Sequence, residues 1–227
     1  MYTNTVLRAL SAEVVGRLRL RPVKFDLAHE FEFPGKPIEH LFFIEAGMAS
    51  MTTTFQDGVQ VEVGMFGCES IIGVSALMGT KRSLNRVYTQ IAGSGFAAKL
   101  ELARLEFARG GIFQLLALRY VQAQLVQAMQ SAGCNSRHNF EQRLARWLLM
   151  TQDRMDSGSL PITHDFLATM LGTDRSTVSL AAGVLQRKGL IEYTRGAVKI
   201  VNRPKLEDSA CECYGVIQQY DAELGLR

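Results

Sequence analysis

The sequence lacks several features that define large classes of protein. No apolar run approaches the roughly 18 residues of a membrane-spanning helix, so we expect no membrane partner. The first 18 residues are polar and interrupted, so we expect no secretory signal and a cytoplasmic location. No Ser/His/Asp set, Walker loop or metal cluster at working spacing occurs, so we expect no enzyme.

Cysteine is also scarce, with four residues in 227. Cys68, Cys134, Cys211 and Cys213 do not form the disulfide framework of a small secreted protein. The C-x-C pair Cys211 and Cys213 has no second pair and no histidine near it in the sequence. This spacing predicts structural thiols and no metal site. The first half lacks the closely spaced His and Cys residues typical of haem, so we expect no haem either.

The composition that remains is typical of a globular protein, with 47% hydrophobic and 21% charged residues. A chain of this length can form two domains. Its net charge of +3 is unevenly distributed, because residues 137–205 contain 11 Lys or Arg against 6 Asp or Glu, and residues 206–227 contain 1 against 5. A basic segment of this kind favours a polyanionic partner.

The basic segment contains a pattern typical of two short helices joined by a tight turn. Thr163 can cap the first helix, Gly172 can end it, and Asp174 can cap the second. Apolar residues recur at helical spacing in both helices: Phe166, Leu167, Met170 and Leu171 in the first, and Val178, Ala181, Ala182 and Leu185 in the second. Periodicity alone equally allows a surface helical hairpin.

The second helix of this pair has a polar solvent-facing side at its start. Arg175, Ser176, Thr177, Ser179 and Leu180 lie there, and its free N–H groups favour phosphate. Such a helix suits the major groove of double-stranded DNA. Two β-prone runs follow, residues 190–193 and 197–201, around an Arg195-Gly196 turn. Helix pair and hairpin together predict a winged helix-turn-helix.

At this point the sequence resembles the Crp/Fnr family of bacterial transcription regulators over nearly its whole length. The residues that carry the resemblance are Thr163, Phe166-Leu167-Ala168, Leu171-Gly172, Arg175, Thr177-Val178, Leu185, Gly189-Leu190-Ile191 and Gly196. The resemblance assigns base reading to Arg175. Ser176, Thr177 and Ser179 would contact bases or phosphate, and Thr163, Arg195 and Lys199 would contact the DNA backbone. Ser176 and Leu180 replace a Glu and an Arg of the founding activator, so we expect a different operator.

The first half has the pattern of an antiparallel β-sandwich or β-roll. Short β-prone runs alternate with turns, including one at Glu45-Ala46-Gly47 and an Asp57-Gly58 hairpin. The resemblance implies a cyclic-nucleotide-binding-like β-roll whose pocket candidates are Gly73, Val74, Arg82, Ser83 and Arg86. Members that bind cyclic AMP hold the ribose with a Gly-Glu pair, but here Val74 follows Gly73. They hold the cyclic phosphate with an Arg followed by Ser or Thr. Here Arg82-Ser83 comes several residues too early for that position, and Asn85-Arg86 has the wrong order.

These departures do not favour cyclic AMP as the effector. A small organic effector in an apolar pocket, or no ligand at all, remains open. Some family members hold an iron–sulfur cluster through cysteines near the N-terminus. This chain has no cysteine before Cys68, so we expect no such cluster.

A helix of about 24 residues, Ile112–Asn135, is predicted after Gly110-Gly111. Apolar side chains recur along it at near-heptad spacing: Leu115, Leu118, Val121, Leu125, Ala128, Met129 and Ala132. The stripe can pair with its copy in a homodimer or pack only on its own β-roll. In the family this helix is the dimer interface. A turn-prone hinge is expected at residues 134–139.

The sequence therefore predicts an α+β chain with three parts. Residues 1–110 form an antiparallel β-roll, 111–136 a dimerisation helix and hinge, and 137–227 a winged helix-turn-helix domain with a flexible link at 156–159 and one terminal helix over 204–226. The expected function is that of a homodimeric DNA-binding transcription regulator, and the family implies RNA polymerase as a partner. The alternative is a nucleotide-sensing or scaffolding protein whose C-terminal domain contacts other proteins.

Overall fold

A computed structural model describes residues 1–155 and 158–226, so Asp156 and Ser157 of the predicted link lie outside the described residues. The chain divides into two compact units. The first comprises Met1–Met51, Gly64–Leu125 and the last residues from Tyr220, and the second comprises Thr52–Val63 and Val126–Gln219. The hairpin at 52–63 thus belongs to the second unit, although the sequence analysis assigned it to residues 1–110.

The first unit begins with two short helices, α1 (Thr5–Arg8) and α2 (Ala12–Leu18). The Ser11 hydroxyl caps α2 by accepting the N–H of Val14 at 3.3 Å, as a serine in the N-cap position does. This cap fixes the first residue of α2.

An antiparallel five-stranded sheet follows. Its strands are β1 (Arg21–Phe25), β2 (Glu30–Glu32), β3 (His40–Thr54), β4 (Gln60–Phe66) and β5 (Arg86–Lys99). They lie in the order β1-β5-β3-β4, and β2 also pairs with β5. This sheet confirms the predicted fold class for the first half of the chain.

The predicted turn at Glu45-Ala46-Gly47 is wrong, because β3 runs through it. Gly47 has φ +87°, and a Cβ there would lie 2.6 Å from the carbonyl oxygen of Ile91 on β5. The glycine thus allows β3 to approach β5 closely at this point without interrupting the strand. The Asp57-Gly58 turn is confirmed: Gly58 has φ +83°, and the Asp57 carboxylate accepts the N–H of Val59.

Two helices follow the sheet, α3 (Leu100–Ala108) and α4 (Ile112–Arg137). Gly110 and Gly111 separate them with φ +76° and +83°. Helix α4 begins where predicted but extends through residues 134–137, where the sequence suggested a turn. One face of α4 enters the core of the first unit: Phe113, Leu116, Ala117, Tyr120 and Ala123.

Among the described residues, the second unit contains a three-stranded sheet, four further helices and most of a fifth, which continues past Gln219. They are α5 (Phe140–Arg154), β6 (Ser159–Leu160), α6 (His164–Leu171), α7 (Arg175–Arg187), β7 (Ile191–Thr194), β8 (Ala197–Ile200), α8 (Arg203–Ser209) and α9 (Cys213–Glu223). The sheet order is β6-β8-β7. The single terminal helix predicted for 204–226 is wrong, because α8 and α9 are separate helices.

Helix α5 begins at a reciprocal cap in which the Asn139 side chain accepts the N–H of Gln142 and the Gln142 side chain accepts that of Asn139. Its apolar residues Leu144, Trp147 and Leu148 are buried. No helix in the described part of the chain combines the length and the hydropathy needed to cross a bilayer.

Candidate nucleic-acid interface

Side-chain caps set the starts of α6 and α7. The Thr163 hydroxyl accepts the N–H of Phe166 at 3.2 Å, and the Asp174 carboxylate accepts that of Thr177 at 2.9 Å. Each cap satisfies one of the N–H groups that a helix start leaves unpaired. Both helices begin at the residues that the sequence indicates.

Gly172 ends α6 in the left-handed conformation, with φ +63°. The N–H of Gly172 donates to carbonyl oxygens of the last turn. The next residue, Thr173, donates its N–H to the carbonyl of Ala168 at 2.9 Å. This is the glycine-assisted helix end that the sequence predicts, and it lets the chain enter α7 after only three residues.

We expect Gly172→Ala to lower the free energy of unfolding by about 1–2 kcal/mol, because a Cβ is costly in this conformation. The new Cβ would also lie 3.1 Å from the Val61 side chain. Gly183→Ala is the matched control: this glycine lies inside α7, and a Cβ would meet only the flexible end of Arg187 at 3.4 Å. It should stabilise by about 0.5–1 kcal/mol. Urea unfolding measures both, and a neutral Gly172→Ala would contradict the turn geometry.

Helix α7 buries one face and exposes the other. Val178, Ala181, Ala182 and Leu185 are buried, as the apolar spacing predicts. Arg175, Ser176, Ser179 and Leu180 are exposed, and Thr177 is half-buried. The Leu180 side chain is 74% exposed, which is unusual for leucine and leaves an apolar group on the surface that would face DNA.

Arg175 projects from the first turn of α7 and pairs with Asp165 of α6 at 3.0 Å. Both side chains are about two-thirds exposed, at 68% and 66%. An ion pair so exposed contributes little to stability. The guanidinium can therefore exchange this carboxylate for a guanine edge or a phosphate at small cost.

The hydroxyl groups near the start of α7 take part in local contacts. Ser176 and Thr177 both donate to the Asp174 carboxylate, and Ser179 donates to the carbonyl of Arg175 at 2.9 Å. The hydrogen bond from Ser176, with those from Thr177, holds the pKa of Asp174 well below its usual range. The Asp174 carboxylate thus occupies the helix start, as its predicted capping role requires, and the N–H of Thr177 is not free for a phosphate.

A stacked ring pair that the sequence analysis missed joins α6 to the hairpin. His164 lies over Tyr193 with ring centroids 4.0 Å apart, and its Nδ1 lies 2.9 Å from the Ser179 hydroxyl. Burial lowers the pKa of His164, and the nearby Arg175 lowers it further. The imidazole is therefore neutral at pH 7 and positions the hairpin relative to α7.

Strands β7 and β8 form the predicted hairpin. Ile191 pairs with Ile200 and Thr194 with Ala197, around a turn in which Gly196 has φ +84°. Arg195 is exposed at the tip, and Lys199 is exposed on β8. The helix pair and the hairpin together form a winged helix-turn-helix with cations on its exposed side.

Comparison with known proteins agrees with this geometry. Residues 142–209 match the family model of the Crp-like helix-turn-helix domain. The chain is 24% identical to the global nitrogen regulator of Synechocystis over 191 residues, which cover 78% of this chain and 83% of that protein. It is 22% identical to the global nitrogen regulator of Synechococcus elongatus, over 87% of this chain and 92% of that protein.

A solved structure shows the same fold. FixK2 from Bradyrhizobium japonicum superimposes with a TM-score of 0.73 at 16% identity, over 85% of this chain and 98% of FixK2. Residues 142–209 therefore form a Crp-like helix-turn-helix domain, and the chain shares its fold with FixK2. The first unit has a cyclic-nucleotide-binding-like fold.

A partly buried carboxylate lies at the start of the predicted effector pocket. Glu32 accepts the N–H of Gly73 at 2.9 Å through one oxygen and the hydroxyl of Ser83 through the other. A neighbouring cavity, lined in part by Val74, has a volume of about 80 Å³, well below the roughly 300 Å³ of small ligand sites. A carboxylate bound to these donors would repel a cyclic phosphate.

Arg82 and Arg86 do not line this cavity. Arg82 donates to the carbonyl of Gly35 at 2.7 Å, and Arg86 pairs with Glu30 at 2.8 Å while lying over the Tyr88 ring. Of the five pocket candidates, Gly73, Val74 and Ser83 therefore meet at one site, and the two arginines lie elsewhere. The sequence analysis missed Glu32, which lies 41 residues before Gly73 in the chain.

We expect Glu32→Gln to remove a pH dependence of stability. Burial raises the pKa of Glu32 above its ordinary value of 4.5, despite opposing hydrogen bonds from Ser83 and Gly73. As the pH rises, the Glu32 carboxyl therefore loses its proton in the unfolded chain before it does so in the folded protein. The group lowers the free energy of unfolding as the pH rises from about 4.5 through the folded pKa.

Glutamine can keep both contacts, because its oxygen accepts from Gly73 and its amide can donate to Ser83, whose hydroxyl also lies 2.9 Å from the Asn85 carbonyl. The free energy of unfolding in urea should be measured at pH 4 and pH 7. Relative to the wild type, the variant should be more stable at pH 7 than at pH 4. A larger gain at pH 4 would contradict the raised pKa.

Helix α4 exposes a continuous apolar stripe opposite its buried face. Leu115, Leu118, Leu125 and Met129 are each 44–59% exposed. Ala128 and Ala132 are also exposed, whereas Val121 is half-buried against the first unit's core. Positions 115, 118, 122, 125, 129 and 132 alternate by three and four residues, which is the seam of a coiled coil, with Gln122 as its one polar member.

The second unit also gathers three of the four cysteines. Cys134, Cys211 and Cys213 are buried together, and His138 lies beside them. The hydrogen bond from Cys211 lowers the pKa of the Cys134 thiol, and the same bond raises the pKa of Cys211. We call these four residues the thiol cluster. The spacing of the C-x-C pair does not reveal these partners, because His138 and Cys134 are more than 70 residues away in the sequence.

Proposed function

We propose that this protein is a Crp/Fnr transcription regulator that binds operator DNA as a homodimer and reads its sequence through α7. The observation that supports this most is the exposed guanidinium of Arg175 at the first turn of a helix whose opposite face is buried. A helix in this position of a winged helix-turn-helix enters the major groove with its N-terminal residues toward the base edges.

In this arrangement Arg175 leaves Asp165 and donates twice to O6 and N7 of a guanine. Leu180, exposed one turn later, is suited to contact with a thymine methyl group. Thr163, Arg195 and Lys199 bind phosphates. Ser176, Thr177 and Ser179 contact DNA through hydroxyl oxygens that still accept hydrogen bonds, so their contribution is smaller than that of Arg175.

The homodimer forms through the exposed stripe of α4. Exposed leucines and a methionine in a three-four alternation that includes one polar residue, Gln122, favour pairing with a second copy, because a lone chain leaves them in water. Two copies place two α7 helices about 34 Å apart, in successive major grooves of a near-palindromic operator. Through its family likeness we further propose RNA polymerase as a partner.

The effector of the first unit, if the regulator uses one, is not a cyclic nucleotide at the Gly73 site. The Glu32 carboxylate supports this, because it accepts from Gly73 and Ser83 in place of a phosphate. Thermal-shift titration with cyclic AMP, cyclic GMP and a metabolite panel tests it. A rise of several degrees with cyclic AMP would contradict the proposal.

Gel shifts on genomic fragments over a range of salt concentrations test the function as a whole. We expect a subset of fragments to bind at moderate salt, and log affinity to fall linearly with log salt as phosphate contacts release counterions. A protein-binding scaffold would show no duplex affinity even at low salt. That result would favour the scaffolding alternative and contradict DNA reading by α7.

A further inference from the structure

The thiol cluster has the donor atoms of a metal site. Cys134, His138, Cys211 and Cys213 each offer one ligand atom, and these four atoms all lie within 4.8 Å of one another. Three sulfur donors and one imidazole nitrogen form a common ligand set of structural zinc sites. The cluster joins the end of α4 to the loop between α8 and α9.

The spacing of the donors is close to that of a tetrahedral site. Zinc–sulfur bonds of about 2.3 Å place tetrahedral ligand atoms about 3.7 Å apart. Here the Sγ atoms of Cys134 and Cys211 are 3.4 Å apart, and Cys213 Sγ lies 3.6 Å from His138 Nδ1. No separation in the set exceeds the tetrahedral value by more than about 1 Å, so small side-chain adjustments suffice to close the site.

The surroundings of the cluster also match those of a metal site. His138 points Nδ1 at Cys213, while its Nε2 lies 3.1 Å from the Glu212 carboxylate. A carboxylate that accepts the outer N–H of a ligating histidine fixes the tautomer that leaves the inner nitrogen free for a metal. The Gln130 amide donates to Cys213 Sγ at 3.1 Å, a contact that stabilises a thiolate.

A buried cation compensates the charge that such a site would hold. Three thiolates and one divalent ion leave a net charge of −1, and the three sulfurs are almost fully buried. Arg146 is 5% exposed and hydrogen-bonds Ser131 and the Met150 sulfur. Its Nε has no hydrogen-bond partner among the described residues. A buried guanidinium without a carboxylate requires negative charge nearby.

We propose that Cys134, His138, Cys211 and Cys213 bind one divalent thiophilic cation of the zinc class. Binding forms three metal–sulfur bonds and one metal–nitrogen bond, and the protons that the three thiols still hold are released to solvent. The ion fastens the end of α4 to the start of α9, two segments 77 residues apart in sequence at Cys134 and Cys211. The site is independent of DNA binding by α7.

Metal analysis of the full-length chain, purified under reducing conditions, tests this proposal. We expect one zinc ion per chain. After removal by a chelator, titration with Co²⁺ should give the visible spectrum of a tetrahedral cobalt–thiolate site, saturating at one equivalent. This measurement uses the wild-type chain, so it does not depend on the folding of any variant.

Substitutions assign the ligands. Cys211→Ser and Cys213→Ser should each weaken metal binding at least 100-fold and alter the cobalt spectrum. Cys68→Ser is the matched control, because Cys68 lies in the first unit, and it should bind metal as the wild type does. Absence of a cobalt–thiolate spectrum in the reduced wild type would overturn the proposal. So would a Cys134–Cys211 disulfide without metal affinity on reduction, or an iron–sulfur absorption spectrum.

Discussion

A chain carrying both Leu118→Glu and Leu125→Glu is expected to be monomeric and to lose at least 100-fold in operator affinity. The two leucines are 46% and 57% exposed and lie seven residues apart on the stripe of α4. In a coiled coil they would face their own copies, so the substitutions would bury like charges against one another. Each half-site would then bind alone, without the gain of roughly 10²–10⁴ from bivalent contact.

Leu105→Glu is the matched control for this experiment. Leu105 is an exposed leucine on α3, at 64%, and does not belong to the α4 stripe. Sedimentation and light scattering should find the wild type and this control as dimers and the double variant as a monomer. If the double variant remained a dimer, this result would contradict the assignment of α4 as the interface.

Arg175→Ala is expected to lose about 1–3 kcal/mol, or roughly 5- to 150-fold, on the operator recovered by selection, with little change on random DNA. The reason is that a bidentate contact to guanine distinguishes this base from the other three. In the free protein the side chain loses only an exposed ion pair with Asp165, so the fold should be unaffected.

Arg195→Ala provides the contrast. Arg195 is exposed at the tip of the hairpin, and a phosphate contact there carries no sequence information. We expect similar losses on operator and random DNA and a salt slope smaller by about 1. If Arg175→Ala behaved in the same way, Arg175 would be a phosphate contact and another side chain of α7 would read the operator.

The parts of the fold that local chemistry determines could be predicted from the sequence. Thr163 and Asp174 cap their helices, and Gly172 takes a positive φ, because each acts on backbone within a few residues. The Arg195-Gly196 hairpin follows from the same kind of short-range signal. The helical period also separates the buried and exposed faces of α7.

Features that depend on distant partners could not be predicted. Gly47 was predicted to lie in a turn, but a glycine is required there because the backbone of β5 lies close to it, more than 40 residues later in the chain. Glu32 reaches Gly73 across 41 residues, and Cys134 reaches Cys211 across 77. Spacing in sequence contains no information on such contacts, since they arise only when the elements pack.

Dimethyl sulfate protection of a selected operator tests the central claim most directly, because the reagent methylates guanine N7 in the major groove, where α7 is proposed to bind. We predict two protected patches whose centres lie one helical turn, about 34 Å, apart. Each patch should lose its protection when Arg175 is replaced by Ala. Protection of a single patch, or unprotected guanines at saturating protein, would contradict the account.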